Sequence, residues 1–192
     1  MSEREYKEIN FENPSTLFVI EDMLKGLVGC PFLFNPYFKT FGLKGNEKVL
    51  DFGCGGGAGA RCLAKLLRNG GHVTCIDTSN YWIGKARKRL KKYPNTDCWA
   101  GDVRQSDIPD HSFDVISIMH VIHDITPQNR PGIVVALCRK LKETGTLFLR
   151  EPTRESHGIP VAEIHNLFQK AGLKETGHTL KKSEYMGIYR PA

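Results

Sequence analysis

The run Val49–Gly57, VLDFGCGGG, constrains this chain more than any other stretch. An apolar strand pattern enters it and a helical pattern, ARCLAKLLRNG, leaves it. Glycines at such a junction let the backbone turn sharply and lie close against a ligand. The helix behind them presents unpaired N–H groups. At the carboxyl edge of a parallel sheet, a loop of this kind holds the polar part of a nucleotide-like cofactor. The spacing Gly55-x-Gly57-x-x-Ala60 also fits the dinucleotide fingerprint, so the loop alone leaves the cofactor's identity open.

Downstream, strand and helix patterns alternate. HVTCID reads as a second strand and TSNYWIGKARKRLKKY as a helix stopped by Pro94. TDCWAGD and FDVISIM read as the third and fourth strands. The continuous apolar character of FDVISIM suits a strand covered on both faces. Thr126 and Pro127 are expected to start a helix running to about Leu141. ETG turns the chain into a fifth strand, TLFLRE. This rhythm predicts right-handed crossovers and an α/β, Rossmann-like doubly wound sheet. After a last helix, PVAEIHNLFQKAG, the strands LKETGHTL and EYMGIYR are joined by only KKS. So short a connection forces an antiparallel pair.

Residues 1–43 differ. PSTLFVIEDMLKGLVG reads as an amphipathic helix, with Leu17, Ile20, Leu24 and Leu27 at helical spacing. The aromatic stretch PFLFNPYFKTFGL reads as a short helical segment packed over the domain. One domain, 1–192, is expected: an N-terminal helical lid over 1–43, with Tyr37 and Phe38 either closing it or simply packed, and a core over 44–192.

Composition limits the function classes. No apolar run approaches the roughly 20 residues of a membrane span, and the polar opening MSEREYKEIN resembles no signal peptide. A cytoplasmic protein without a membrane partner is expected. The six cysteines form no CxxC pair or zinc-like spacing, which reads as several buried thiols in a reducing compartment. Much of the +6 net charge lies in KARKRLKK, Lys85–Lys92. The run is read as the solvated face of a helix, with an anion- or nucleic-acid-binding patch as the alternative.

Three carboxylates sharpen the loop's meaning. Asp51 precedes the glycines, Asp77 ends the second strand and Asp102 ends the third, so all three reach one edge of the sheet. A carboxylate at the position of Asp51 opposes a pyrophosphate and suits a cationic ammonium or sulfonium. Asp77 lies about 20 residues past the loop, where a carboxylate accepts bonds from ribose hydroxyls.

With these motifs in place, the sequence resembles the class I S-adenosylmethionine-dependent methyltransferases from about Lys44 to Tyr189. VLDFGCGGG, CID, AGDV, FDVISIMHVIHDI and LKETGTLFLREP carry the resemblance, and the fourth stretch is similar to the branch of ubiquinone and menaquinone biosynthesis. Glu143 and Thr144 replace the Pro and Gly usual in the fifth. The resemblance implies seven strands in the order 3-2-1-4-5-7-6, strand 7 antiparallel. It implies S-adenosylmethionine as cofactor and S-adenosylhomocysteine as product. Gly53, Cys54, Gly55 and Gly57 would line the methionine part, with Asp51 at its cationic end. Asp77 and Thr78 would hold the ribose, and Asp102 and Val103 the adenine. Residues from Met119 to His123, with Met119 and His120 as cofactor contacts, would flank the reactive methyl.

No metal is expected. His120 and His123 follow the fourth strand and are the candidate catalytic residues, since imidazole titrates near neutral pH; packing and turn formation are their bland alternatives. Glu151 and His157, in the polar stretch EPTRESHG, are candidate acceptor-pocket residues. The expected partner is a small-molecule methyl acceptor. The alternatives are RNA or protein methylation, a cofactor-binding but inactive module, and a nicotinamide-dependent oxidoreductase. The last is disfavoured because the spacing Tyr81-x-x-x-Lys85 falls on the helix after strand two.

Overall fold

Apolar runs of five to seven residues bounded by glycine and polar turns build the sheet. The computed structural model describes residues 11–192, apart from the side chains of Phe18, Lys25, Leu27 and Pro31. The strands are β1 (Lys48–Phe52), β2 (His72–Asp77), β3 (Thr96–Ala100), β4 (Phe113–Met119), β5 (Leu141–Pro152), β6 (Leu173–Lys181) and β7 (Glu184–Pro191). The helices are α1 (Thr16–Gly29), α2 (Asn35–Phe38), α3 (Ala58–Leu66), α4 (Asn80–Leu90), α5 (Arg130–Lys140) and α6 (Val161–Lys170). The sheet runs β3-β2-β1-β4-β5-β7-β6, as expected. β1 to β5 pair in parallel, and β7 runs antiparallel between β5 and β6.

Alternation along the strands feeds two cores. Leu50, Ile116 and Leu147 face a cluster with α5 and α6, including Val134, Leu137, Ile164 and Phe168. Val49, Val73, Val115 and Phe148 face a second cluster with α3, α4 and the aromatic stretch. Phe41 stacks on Phe148 with ring centroids 3.9 Å apart.

Four expectations need correction. The helix expected from Thr126 begins instead at Arg130. Residues 127–129 form a turn in which Asn129 donates to the Thr126 hydroxyl at 2.8 Å. Pro131 lies in the first helical turn, where its missing N–H costs least. Second, Leu17, Ile20 and Leu24 on α1 are exposed. The side that meets the domain carries Asp22 and Gly26 instead, gripped by Arg89 and Arg61. Third, Tyr37 and Phe38 are buried in the second core and do not close a lid. Fourth, Cys30 and Cys62 form a disulfide, joining the end of α1 to α3 with Cα atoms 5.7 Å apart. Cys75 is a buried thiol, while Cys54, Cys98 and Cys138 are half-buried thiols.

Candidate active site

The parallel strands all end at one edge, and there the glycine turn opens a cleft of about 530 Å³. The backbone dictates this shape. Gly53 has φ of +68°, and a Cβ there would lie 2.4 Å from the Val121 side chain. Only glycine fits that approach. Gly55, also left-handed, would direct a Cβ into open space. The turn is pinned to β2: the Gly53 and Cys54 N–H groups donate to the Ile76 carbonyl at 2.8 and 3.2 Å.

The three expected carboxylates converge on this cleft. Asp51 is buried, 6% exposed. Burial pushes its carboxyl up to about 7; the Ser117 hydroxyl opposes that rise and the Asp77 charge adds to it. Asp77 accepts from the Gly55 N–H at 2.9 Å and the Ser79 N–H at 3.0 Å, so it both braces the turn and caps the approach to α4. Burial raises its pKa, and the two N–H donors limit the rise. Asp102 is held by Arg104, with Nε–Oδ2 at 2.9 Å, and this partner keeps its carboxyl below the usual range.

Gly53, Cys54, Gly55, Thr78, Val103, Met119 and His120 line the cleft. Gly57 and His123 do not. Gly57 turns its Cα toward Ala86 of α4, where a Cβ would lie 3.1 Å away; Gly56 takes its place in the lining. His123 turns toward Asp124 and His157. His120 has φ of +57°, a strained conformation for a side chain at a ligand cleft. Its Nε2 lies 3.2 Å from Glu184, which also accepts from Arg150 at 2.8 Å. Burial lowers the His120 pKa, so it is neutral near pH 7.

Sequence reasoning misread two features. Arg89, inside the basic run, is no solvated side chain. It grips Asp22 of α1 at 2.8 Å and the Gly56 carbonyl at 2.5 Å, fixing α1 beside the glycine turn. Glu21, Asp22 and Phe34 from the N-terminal segment thereby line the cleft. Glu151, fully buried, accepts from the Val121 and Ile122 N–H groups at 2.8 Å each and lies 2.6 Å from His123 Nδ1. It therefore supports the loop after β4 from beneath and does not line the cleft. The polar stretch EPTRESHG marked it in the sequence as an acceptor-pocket candidate, not as a support for the loop after β4.

A sheet in this order, with a glycine turn and strand-end carboxylates around one cleft, defines a Rossmann-like protein of methyltransferase type. Residues 50–149 match the family model described as a methyltransferase domain. The chain belongs to that family. It is 34% identical over 113 residues to a demethylmenaquinone methyltransferase of Tropheryma whipplei, covering 59% of this chain and 45% of the relative. It is 28% identical over 185 residues to a ubiquinone biosynthesis O-methyltransferase of Glaesserella parasuis, covering 93% and 69%. The chain thus spans less than half of the Tropheryma relative. Its fold matches a TehB-like SAM-dependent methyltransferase from Corynebacterium glutamicum with a TM-score of 0.77 at 17% identity, covering 94% of this chain and all of that one.

The residues present fit S-adenosylmethionine. The cradle around Gly55 has room for a ligand where a Cβ would point, and the cleft holds a buried carboxylate matched to a cation. Among the described residues its basic side chains are Arg104, already paired with Asp102, and His120, which offer a pyrophosphate little counter-charge. No described helix is long and apolar enough to cross a membrane.

Proposed function

We propose that this protein transfers a methyl group from S-adenosylmethionine to a small-molecule acceptor. The observation that carries the reading is the buried carboxylate of Asp51 beside the glycine turn, an anion placed where a cationic cofactor end would lie. Asp77 would hold the ribose hydroxyls and Thr78 would lie beside them. Asp102 and Val103 would take the adenine; Gly53, Cys54 and Gly55 would line the methionine part. When bound, the cofactor supplies a methyl group already activated on positive sulfur.

The protein's own task is then alignment and exclusion of water. Val121, packed over Gly53, and Met119 wall the cleft. His120, neutral and lining the cleft, is assigned to contact with the acceptor. His123 is assigned to the support of the same loop, through Glu151. The N-terminal segment, whose residues 1–10 lie outside the described residues, is assigned a wall of the cleft through Glu21, Asp22 and Phe34. A small acceptor agrees with the names of the demethylmenaquinone and ubiquinone-biosynthesis relatives. A cytoplasmic location belongs to the proposal; the four free thiols favour it and the Cys30–Cys62 disulfide speaks against it.

The test is transfer of isotopically labelled methyl from S-adenosylmethionine. A panel of hydroxylated aromatic and isoprenoid acceptors would be assayed beside bulk RNA and protein. Label is expected in the low-mass fraction. Label in RNA or protein alone would contradict a small acceptor.

A further inference from the structure

We propose that His123, Asp124 and His157 form a binding site for a divalent transition-metal ion at the rim of the cleft. The three residues come from two loops, one after β4 and one after β5. His123 Nε2 and His157 Nε2 stand 3.1 Å apart. Asp124 Oδ1 lies 3.3 Å from the first and 3.9 Å from the second. A triangle with these sides has a centre about 2.0 Å from every corner, and zinc binds histidine nitrogen and carboxylate oxygen at about 2.0–2.2 Å. Among the described residues this is the one group of three or more potential ligands so gathered.

The surroundings prepare the triangle. Glu151 Oε2 lies 2.6 Å from His123 Nδ1, so Nδ1 carries the proton and the Nε2 lone pair points at the other two ligands. A buried carboxylate behind a ligating histidine is the usual means of fixing its tautomer and ring plane. The carboxylate is itself immobilised by the Val121 and Ile122 N–H groups. From the other side, buried Arg130 donates to the carbonyls of His123 and Ile125 at 3.1 and 2.8 Å, holding the loop that carries two of the ligands. A hydrogen bond between the two imidazoles would satisfy their nitrogens, yet it requires no carboxylate within reach of both.

Two imidazoles and one carboxylate suit zinc, cobalt, nickel, iron or manganese. Magnesium and calcium prefer ligand sets made of oxygen alone. Three protein ligands leave positions open. Asp124 lines the cleft and His157 is largely exposed, so those positions are reachable from both sides. An oxygen donor of the acceptor would occupy one of them. That last link rests on the methyl-transfer reading, and the metal site does not.

The experiment is calorimetric titration of chelator-treated, cofactor-free protein with Zn²⁺, with visible absorption of the Co²⁺-loaded protein as a second readout. One ion per chain is expected. Affinity should fall by about tenfold or more in His157→Ala and in Asp124→Asn, with the Co²⁺ bands lost. His157 is exposed, so its removal leaves the fold intact. Cys98→Ser should bind Zn²⁺ as the wild type does, which separates this site from the thiols. No binding by the wild type, or unchanged affinity in either ligand variant, would overturn the site. S-adenosylmethionine is titrated separately into the same preparations, so failure of the cofactor reading and failure of the metal site are told apart.

Discussion

At the scale of single residues, the cleft is organised around a carboxylate placed against its own preference. Asp51 is buried at the end of β1, and its pKa is pushed up to about 7. Its unfolded value is 3.8, so the native state binds the proton more tightly. Stability from this group is therefore greatest at low pH and is lost as pH rises from about 4 to about 7. A tenfold difference in proton affinity corresponds to about 1.4 kcal/mol, so the full cost above pH 7 is of the order of a few kcal/mol. We expect Asp51→Asn to melt higher than the wild type at pH 8, with the gap closing as pH falls towards 4. A pH-independent gap in differential scanning calorimetry would show that Asp51 is not buried as a charge. Such a cost is understandable where a cation is to be received. Asp51, Asp77 and Asp102 were legible in the sequence because each ends a strand. Glu151 was legible only as an acid in a polar stretch. Its buried contacts with residues 121–123 depend on β4 and β5 pairing, which local sequence does not encode.

At the scale of elements, the alternation of strand and helix and the terminal hairpin follow from local patterns and short connections, and the strand order was implied by the family resemblance. The N-terminal elements do not. The spacing of Leu17, Ile20 and Leu24 foretold a helix and misled about its inner face. Two long-range contacts decide that face: the grip of Arg89 on Asp22 and that of Arg61 on the Gly26 carbonyl. Arg89 and Asp22 are both about one-sixth exposed, and hydrogen bonds to charged groups in such settings contribute roughly 1.5–3 kcal/mol. Arg89→Ala should therefore loosen α1 while the sheet stays folded. Limited proteolysis would show faster cleavage within residues 16–29, and cofactor affinity would drop several-fold. Equal cleavage rates would mean that α1 is held by other contacts. The disulfide fastens the same region to α3. Thiol titration of the denatured, unreduced protein should find four thiols, and six after reduction. Six in both would refute the Cys30–Cys62 bond.

At the scale of the whole molecule, the parallel strands bring residues far apart in sequence to one edge. The glycine turn, three aspartates and the loop after β4 gather around one cleft. The fold was readable because alternation of strand and helix is a property of the entire chain. The acceptor was not, because Glu21, Asp22 and Phe34 of the N-terminal segment reach the cleft only through long-range contacts that local sequence does not encode. The cofactor is the decisive question. The most direct measurement is calorimetric titration of the protein with S-adenosylmethionine, S-adenosylhomocysteine and NAD, repeated on Asp77→Ala. We expect micromolar binding of the first two, none of NAD, and a loss of about tenfold or more in the variant, which removes a charge-assisted bond to ribose. Binding of NAD alone, or unchanged affinity in a folded Asp77→Ala, would contradict it.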